Sequence, residues 1–318
     1  MEHVDIAGVG QPVSQVILGT ATRPFMRSRD AAYLIDAALD TGVNTFDLAR
    51  AYGAAEETFG RWLRGGGRRD RVVLLSKGGH PGLAGQSRVC EKDIRRDLER
   101  SLAALGTDFI DIYLMHRDDE RRDVGELVEL LNTLRAEGKI GAFGGSNWTH
   151  ERIAAANAYA AEHGLVPLAV SSPQFGLASQ ERDPWGGGCV SISGPRGTDA
   201  RAWYRAHDVC VVAYSSLGRG MLSGRVTSDD VASARRVMDR PAYKGFACAD
   251  NFERLRRCEE LARELGCDVP SVAMRWVIGQ GLAVCAVVST TRTEGIRANV
   301  AALDLELTEE QLAWLDLR

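Results

Sequence analysis

Residues 44–53 read Asn-Thr-Phe-Asp-Leu-Ala-Arg-Ala-Tyr-Gly, a short apolar run that closes on Asp47 and passes into a turn carrying Tyr52. Two further segments repeat the design. Residues 72–79 (VVLLSKGG) end near Lys77, and residues 110–118 (IDIYLMHRD) end on His116. Helical segments separate the three, and strands joined by helices run parallel, so their carboxyl ends emerge on one side of the sheet. Asp47, Tyr52, Lys77 and His116 are therefore expected to meet, although 69 residues separate the first from the last.

Working outward, short Val- and Ile-rich runs recur at 15–20, 44–48, 72–77, 110–116, 140–146, 168–174, 209–215 and 283–289. Several are apolar on both faces, the mark of parallel strands covered on each side. Between them, segments of helical period are predicted over 30–41, 55–63, 91–105, 124–137, 150–163, 198–207, 251–265 and 293–302. In 91–105, Ile94, Leu98, Leu102 and Leu105 recur at steps of three and four, with Arg95, Arg96 and Glu99 opposite. Gly42, Gly106, Gly138 and Gly164 follow helices, where a left-handed cap is expected. Eight strand–helix units predict an α/β (β/α)8 TIM barrel, read as one domain over 1–318; a doubly wound open sheet is the competing arrangement. Residues 4–7 and 11–14 suit an N-terminal β-hairpin across the bottom of the barrel. Long connections at 176–197 and 217–250 follow strands, which places them as loops at the C-terminal face.

The composition narrows the class. Net charge is −4 over 318 residues, with 26% charged and arginines interspersed among acids, so no basic block suggests nucleic acid as a partner. Seven cysteines without C-x-x-C spacing read as free thiols of a reducing compartment. The N-terminus carries no signal-peptide pattern, and no apolar run reaches the ~18 residues of a membrane span. These features predict a cytoplasmic protein with no membrane partner, and they carry no signal of oligomeric state. No His-Glu-x-x-His or close His/Cys cluster suggests a metal.

An acid, a phenol, an ammonium and an imidazole are the parts needed to protonate a carbonyl oxygen. A free tyrosine, with pKa about 10, is a weak acid at neutral pH. An adjacent ammonium favours the phenolate and is expected to move the hydroxyl toward the working range. Asp47 would keep Lys77 charged, and His116 would donate to the carbonyl and orient it, or assist the proton transfer. None of the four supplies a hydride, so a reductant cofactor is implied. Taken singly, each residue has a blander role: Lys77 solvated, His116 packed, Asp47 capping a helix, Tyr52 filling space. Together, after successive strands, they point to catalysis.

Over nearly its whole length the chain resembles the aldo-keto reductase superfamily. The motif Asp-Thr-Ala-x-x-Tyr-Gly stands as Asp47-Leu48-Ala49-Arg50-Ala51-Tyr52-Gly53, followed by Ser76-Lys77, Tyr113-Leu114-Met115-His116 and Gly144-Gly145-Ser146-Asn147-Trp148. The resemblance implies an extended nicotinamide dinucleotide, NADP(H) with NAD(H) as the alternative, and no Rossmann fingerprint. It implies that Ser146, Asn147 and Gln174 hold the carboxamide and that Tyr214 stacks on the nicotinamide. Ser215, Leu217 and Gly220 would lie along the pyrophosphate. Ser289, Thr291, Arg292 and Asn299 would meet an adenosine 2′-phosphate, and Thr20 at the first strand end joins the cofactor candidates. The chain departs from the pattern at Gly295, Ala298 and Ser289, which bears on the choice between NADPH and NADH, and at Leu48.

The expected activity is reversible reduction of an aldehyde or ketone to its alcohol, with a small-molecule carbonyl or alcohol as partner. Trp148, Trp185 and Phe25 as an apolar wall, with His80, Arg117 and Asp118 as polar contacts, suit sugars and polyols as well as aryl aldehydes, with a sugar- or polyol-derived carbonyl preferred. Two other readings stay open: a cofactor-bound regulatory or redox-sensing subunit, and a Schiff-base aldolase using Lys77.

Overall fold

Strands that are apolar on both faces need cover on both sides, and here the sheet supplies half of it by closing on itself. In the computed structural model, described for residues 1–28, 30–66, 68–82 and 84–318, an antiparallel pair comes first: β1 (His3–Val4) and β2 (Val13–Ser14). Eight parallel strands follow: β3 (Val16–Gly19), β4 (Thr45–Asp47), β5 (Val73–Gly78), β6 (Ile110–Met115), β7 (Ile140–Ser146), β8 (Val170–Ser172), β9 (Cys210–Ala213) and β10 (Val284–Val288). They form a closed barrel in sequence order, with β10 returning to β3 through Val287 opposite Ile17. The open-sheet alternative is thereby excluded.

Alternation along each strand divides the core in two. One set of side chains fills the barrel, including Ile17, Val73, Leu75, Ile112, Leu114, Val212 and Cys285. The other set faces the surrounding helices, as with Leu18, Phe46, Leu74 and Tyr113. The N-terminal hairpin is shorter than expected, yet Ile6 and Val13 pack into the inner cluster. The Gln11 side chain donates to Val72 O at 3.1 Å, and Ser14 N donates to Asn44 Oδ1 at 3.0 Å. Val72 and Asn44 immediately precede β5 and β4, so the hairpin plugs the N-terminal end and leaves the opposite mouth open.

The predicted helices are present, several with the same limits, such as Ala55–Leu63 and Glu91–Leu105. In the second, Ile94, Leu98, Leu102 and Leu105 are all buried, each contributing roughly 1.5–3 kcal/mol of transfer free energy. Its end is set by Gly106 at φ 72°, whose N–H caps Leu102 O. Two helices were not expected. Val269–Ile278 is opened by an Asp268 cap with Pro270 in its first turn, and Glu309–Leu315 by a Thr308–Gln311 capping box. The connection at 217–250 is more regular than expected, holding short helices at Ser233–Val237 and Arg240–Phe246. No helix among the described residues is long and apolar enough to cross a membrane.

Candidate active site

Register brings the catalytic candidates together. Asp47 ends β4 opposite Leu75, and Lys77 lies two residues further along β5, on the same face as Leu75. The Lys77 ammonium forms a buried ion pair with the Asp47 carboxylate and donates to Leu48 O at 3.0 Å. It also lies 3.4 Å from the Tyr52 hydroxyl and 5.0 Å from the centre of its ring. Tyr52 sits in the turn after β4, where Gly53 takes φ 58° against the carbonyl of Met26; an added Cβ would come within 3.2 Å of that oxygen. His116 follows β6, its N–H bonded to Gly78 O at 2.8 Å. Its ring meets Tyr52 edge-on at 5.7 Å and His80 at 4.8 Å. All four residues open on one cleft of 840 Å³, ample for a dinucleotide's reactive end and a small substrate.

The protonation states follow from burial and neighbours. Burial pulls the Lys77 ammonium down, but Asp47 and Tyr52 outweigh it, and the group is held above its ordinary value. Burial pushes the Asp47 carboxyl up, which the Lys77 contact offsets only in part. Tyr52 corrects the sequence-based expectation. Lys77 does lower its pKa, yet burial, aided by Asp47, wins and leaves the phenol above 10. Tyr52 is thus fully protonated at neutral pH. Burial, then Lys77, His80 and Arg117, keep His116 well below the usual histidine value, so its imidazole is neutral. Its Nδ1 has no partner among the described residues.

A second layer braces this group. Glu56, wholly buried, accepts from Ser76 Oγ at 2.6 Å and pairs with Arg50 at 2.6 Å. Asp97 pairs with Arg88 at 2.6 Å and accepts from Gly79 N at 3.0 Å. Arg50, Arg88 and Asp97 all line the cleft, and none of them was singled out from sequence. The position of Arg50 inside the Asp47–Gly53 motif was the available signal.

Of the cofactor candidates, Ser146, Asn147, Tyr214, Ser215, Leu217, Gly220 and Ser289 line the cleft. Asn147, on left-handed backbone at φ 61°, accepts from the Tyr214 hydroxyl at 2.6 Å and donates to His116 O at 3.3 Å. Gln174 is buried just beneath, its Oε1 accepting from Ser191 at 2.5 Å and its Nε2 without a partner among the described residues. Thr20 is also buried, donating to Asp47 O at 2.8 Å. Thr291 and Arg292 are exposed beyond the cleft, and Asn299 donates to Gly295 O at 2.6 Å.

The expected aromatic wall is not what forms. Trp148 and Phe25 are buried at 1% and 0% exposure and do not line the cleft, and Asp118 is paired with Arg152 at 3.0 Å. Trp185 alone of the three aromatics lines it, 45% exposed and edge-on to Tyr214 at 5.6 Å. Arg219, from the other long loop, covers the Trp185 ring at 4.6 Å while pairing with Asp239 at 2.7 Å. Among the described residues no cluster of three or more His, Cys, Asp or Glu side chains could hold a metal.

The fold is thus a closed parallel barrel with this group at its open mouth. The model of the Aldo/keto reductase family matches residues 15–317, and the chain belongs to that family. It is 27% identical to an uncharacterized oxidoreductase, YrpG, of Bacillus subtilis, across 99% of this chain and 95% of that protein. It is 28% identical to the L-glyceraldehyde 3-phosphate reductase of Escherichia coli O157:H7, across 88% of this chain and 80% of the relative. A probable voltage-gated potassium channel subunit beta of Oryza sativa subsp. japonica is also 28% identical, across 96% and 92%.

Proposed function

We propose that the protein reduces an aldehyde or ketone to its alcohol, reversibly, with Tyr52 as the general acid. The observation that carries this reading is the Lys77 ammonium, in contact with Asp47 on one side and 3.4 Å from the Tyr52 hydroxyl on the other, inside the cleft. A bound reduced nicotinamide dinucleotide would supply the hydride to the carbonyl carbon and leave oxidised. The residues present fit such a group: Ser146 and Asn147 present polar side chains to the cleft, Gln174 keeps a buried Nε2 without a partner among the described residues, and the turn from Ser215 to Gly220 lines the cleft with little side-chain bulk.

As the carbonyl oxygen gains negative charge, Tyr52 gives it the hydroxyl proton. Lys77 stabilises the phenolate left behind. Asp47 keeps that ammonium charged, which preserves its field at the moment of transfer. Neutral His116 donates a ring N–H to the carbonyl oxygen and orients it. In the reverse direction the Tyr52 phenolate takes the alcohol proton back. NADP(H) is preferred over NAD(H), with Arg292 at the start of the helix Thr293–Ala301 meeting the extra phosphate. The substrate class is a hydroxylated, sugar- or polyol-derived carbonyl, a reading now supported by polar groups such as His80 rather than by an aromatic wall. The unit works as a single domain in the cytoplasm.

Tyr52→Phe tests the acid role. It should keep dinucleotide binding while losing about 10²- to 10⁴-fold in kcat. Undiminished turnover in that variant would sink the proposal.

A regulatory role is the second reading, favoured by the likeness to the channel beta subunit. Tight dinucleotide binding with negligible turnover on every carbonyl tried would select it. The Schiff-base alternative weakens on physical grounds, because an ion-paired ammonium held above its ordinary pKa has no lone pair for attack.

A further inference from the structure

Among the described residues, Arg117 is the cation in the catalytic end of the cleft that no carboxylate pairs with. It follows His116 directly and lines the cleft. Its guanidinium donates to His116 O at 2.9 Å and to Cys189 Sγ at 3.5 Å, so it spans the strand end and the long loop opposite. Two of its five N–H groups are thereby engaged and three remain. The neighbouring arginines are all paired: Arg50 with Glu56, Arg88 with Asp97, and Arg219 with Asp239. Among the described residues no carboxylate forms an ion pair with Arg117. Asp118 is taken by Arg152, and Asp183 accepts from the backbone N–H groups of Trp185 and Cys189. Among the described residues Arg225 is the other arginine of the cleft without an ion pair, and it is exposed on the side of Gly220 and Ser223.

The other ionisable groups beside it are paired or neutral. Lys77 and Asp47 cancel, His80 is held neutral chiefly by burial, and His116 is neutral. Burial pushes the Cys189 thiol up to about 11, so it is no anion either. The position of Arg117 is also fixed. Trp148 Nε1 donates to its carbonyl at 3.3 Å, and the guanidinium itself bridges His116 O and Cys189 Sγ. A held, half-buried guanidinium with free donors beside a carbonyl site is an oxyanion receptor.

We propose that Arg117 makes this site select carbonyl compounds that carry an oxyanion, a carboxylate or a phosphate, elsewhere on the substrate. The inference rests on the reductase reading above and specifies its substrate. A hydrogen-bonded ion pair in such a place is worth about 10- to 100-fold in affinity over a neutral isostere.

The test compares matched pairs with the wild-type protein and both reduced dinucleotides: 4-carboxybenzaldehyde against methyl 4-formylbenzoate, and glycolaldehyde phosphate against glycolaldehyde. The expected result is a kcat/KM at least about 10-fold higher for the charged member of one pair, carried mainly by KM. Which pair responds identifies carboxylate or phosphate. In Arg117→Gln the charged-to-neutral ratio should fall toward one, and Arg117→Lys should recover part of it. Because the ratio is the readout, a general loss of rate in either variant does not enter. Equal handling of charged and neutral members by the wild type, or an unchanged ratio in Arg117→Gln, overturns the inference. Equilibrium binding of 4-(hydroxymethyl)benzoate against its methyl ester, followed by tryptophan fluorescence, separates the two proposals. If no carbonyl turns over, the reductase reading fails, while tighter binding of the acid that disappears in Arg117→Gln still upholds the role of Arg117. Absence of that preference as well overturns both.

Discussion

The Tyr214 hydroxyl donates to Asn147 Oδ1 at 2.6 Å, joining the end of β9 to the end of β7 across the floor of the cleft. Asn147 pairs its amide in turn with His116 O, so the residue proposed to support the nicotinamide is wired to the residue proposed to orient the carbonyl. Removing the hydroxyl in Tyr214→Phe should take away one of the bonds that hold Asn147 while preserving the ring. A loss of about one hydrogen bond predicts dinucleotide binding weaker by roughly 3- to 10-fold, read by fluorescence titration. Unchanged affinity would detach Tyr214 from that role.

The acid limb of stability should report His116. Its folded-state pKa lies well below 6.5, so below pH 6.5 the unfolded chain takes up a proton that the folded chain refuses. Stability therefore falls as pH drops, by up to about 1.4 kcal/mol per unit for this group. His116→Gln should remove close to one proton from the uptake on unfolding between about pH 6.5 and 5. Parallel slopes of Tm against pH for the two proteins would refute this.

Reduction should show no break near the ordinary histidine value. With Tyr52 protonated above pH 10 and His116 neutral well below 6.5, kcat/KM for reduction is expected to be flat across the neutral range. The fall should come only when Tyr52 loses its proton, whereas oxidation of the alcohol should rise there. A bell centred near pH 6.5 would mean that a charged imidazole takes part.

Replacing Asp47 by Asn leaves Lys77 buried, 3% exposed, beside a neutral amide. Burial then dominates and the ammonium pKa falls, so the variant should lose stability by roughly 3–5 kcal/mol at neutral pH. Its turnover should decline with a pH dependence absent from the wild type. Denaturant titration and a pH–rate profile together check both parts.

Gly144 faces the next strand so closely that a Cβ would lie 1.7 Å from Val170 O. Backbone cannot yield at a paired strand without opening the barrel. Gly144→Ala should cost at least about 3 kcal/mol or leave the protein insoluble. A melting temperature within a few degrees of wild type would contradict the tight approach of β7 and β8.

The alternation of strands and helices was legible because several barrel strands are apolar on both faces and several amphipathic helices end at a glycine, as at Gly106. The helix Val269–Ile278 escaped notice because Pro270 reads as a breaker, whereas in the first turn it lacks only an N–H that would have been unpaired. The strand-end quartet was legible for the same reason as the fold, since parallel topology alone brings strand ends together. What lay beyond reach was anything that depends on which side chain finds which partner. Trp148 looked like a wall and is a buried prop beneath Arg117, because Gly145 leaves its indole room against the strand. Asp118 looked available and is claimed by Arg152 from the helix His150–Glu162, one strand–helix unit further on. The net direction of the Tyr52 shift likewise depended on how deeply the phenol is covered, a quantity that spacing does not encode.

Arg219 resting on Trp185 fastens one long loop to the other across the mouth. A large dinucleotide is expected to pass only when that clasp opens, and a small carbonyl while it stays shut. The rhythm of the cycle would then be governed by departure of the spent carrier, and slackening the clasp in Arg219→Ala should quicken multiple turnover while weakening retention. Steady-state rates set beside a single-turnover burst would reveal it, and an unhurried variant with the same burst would mean that the clasp keeps no time.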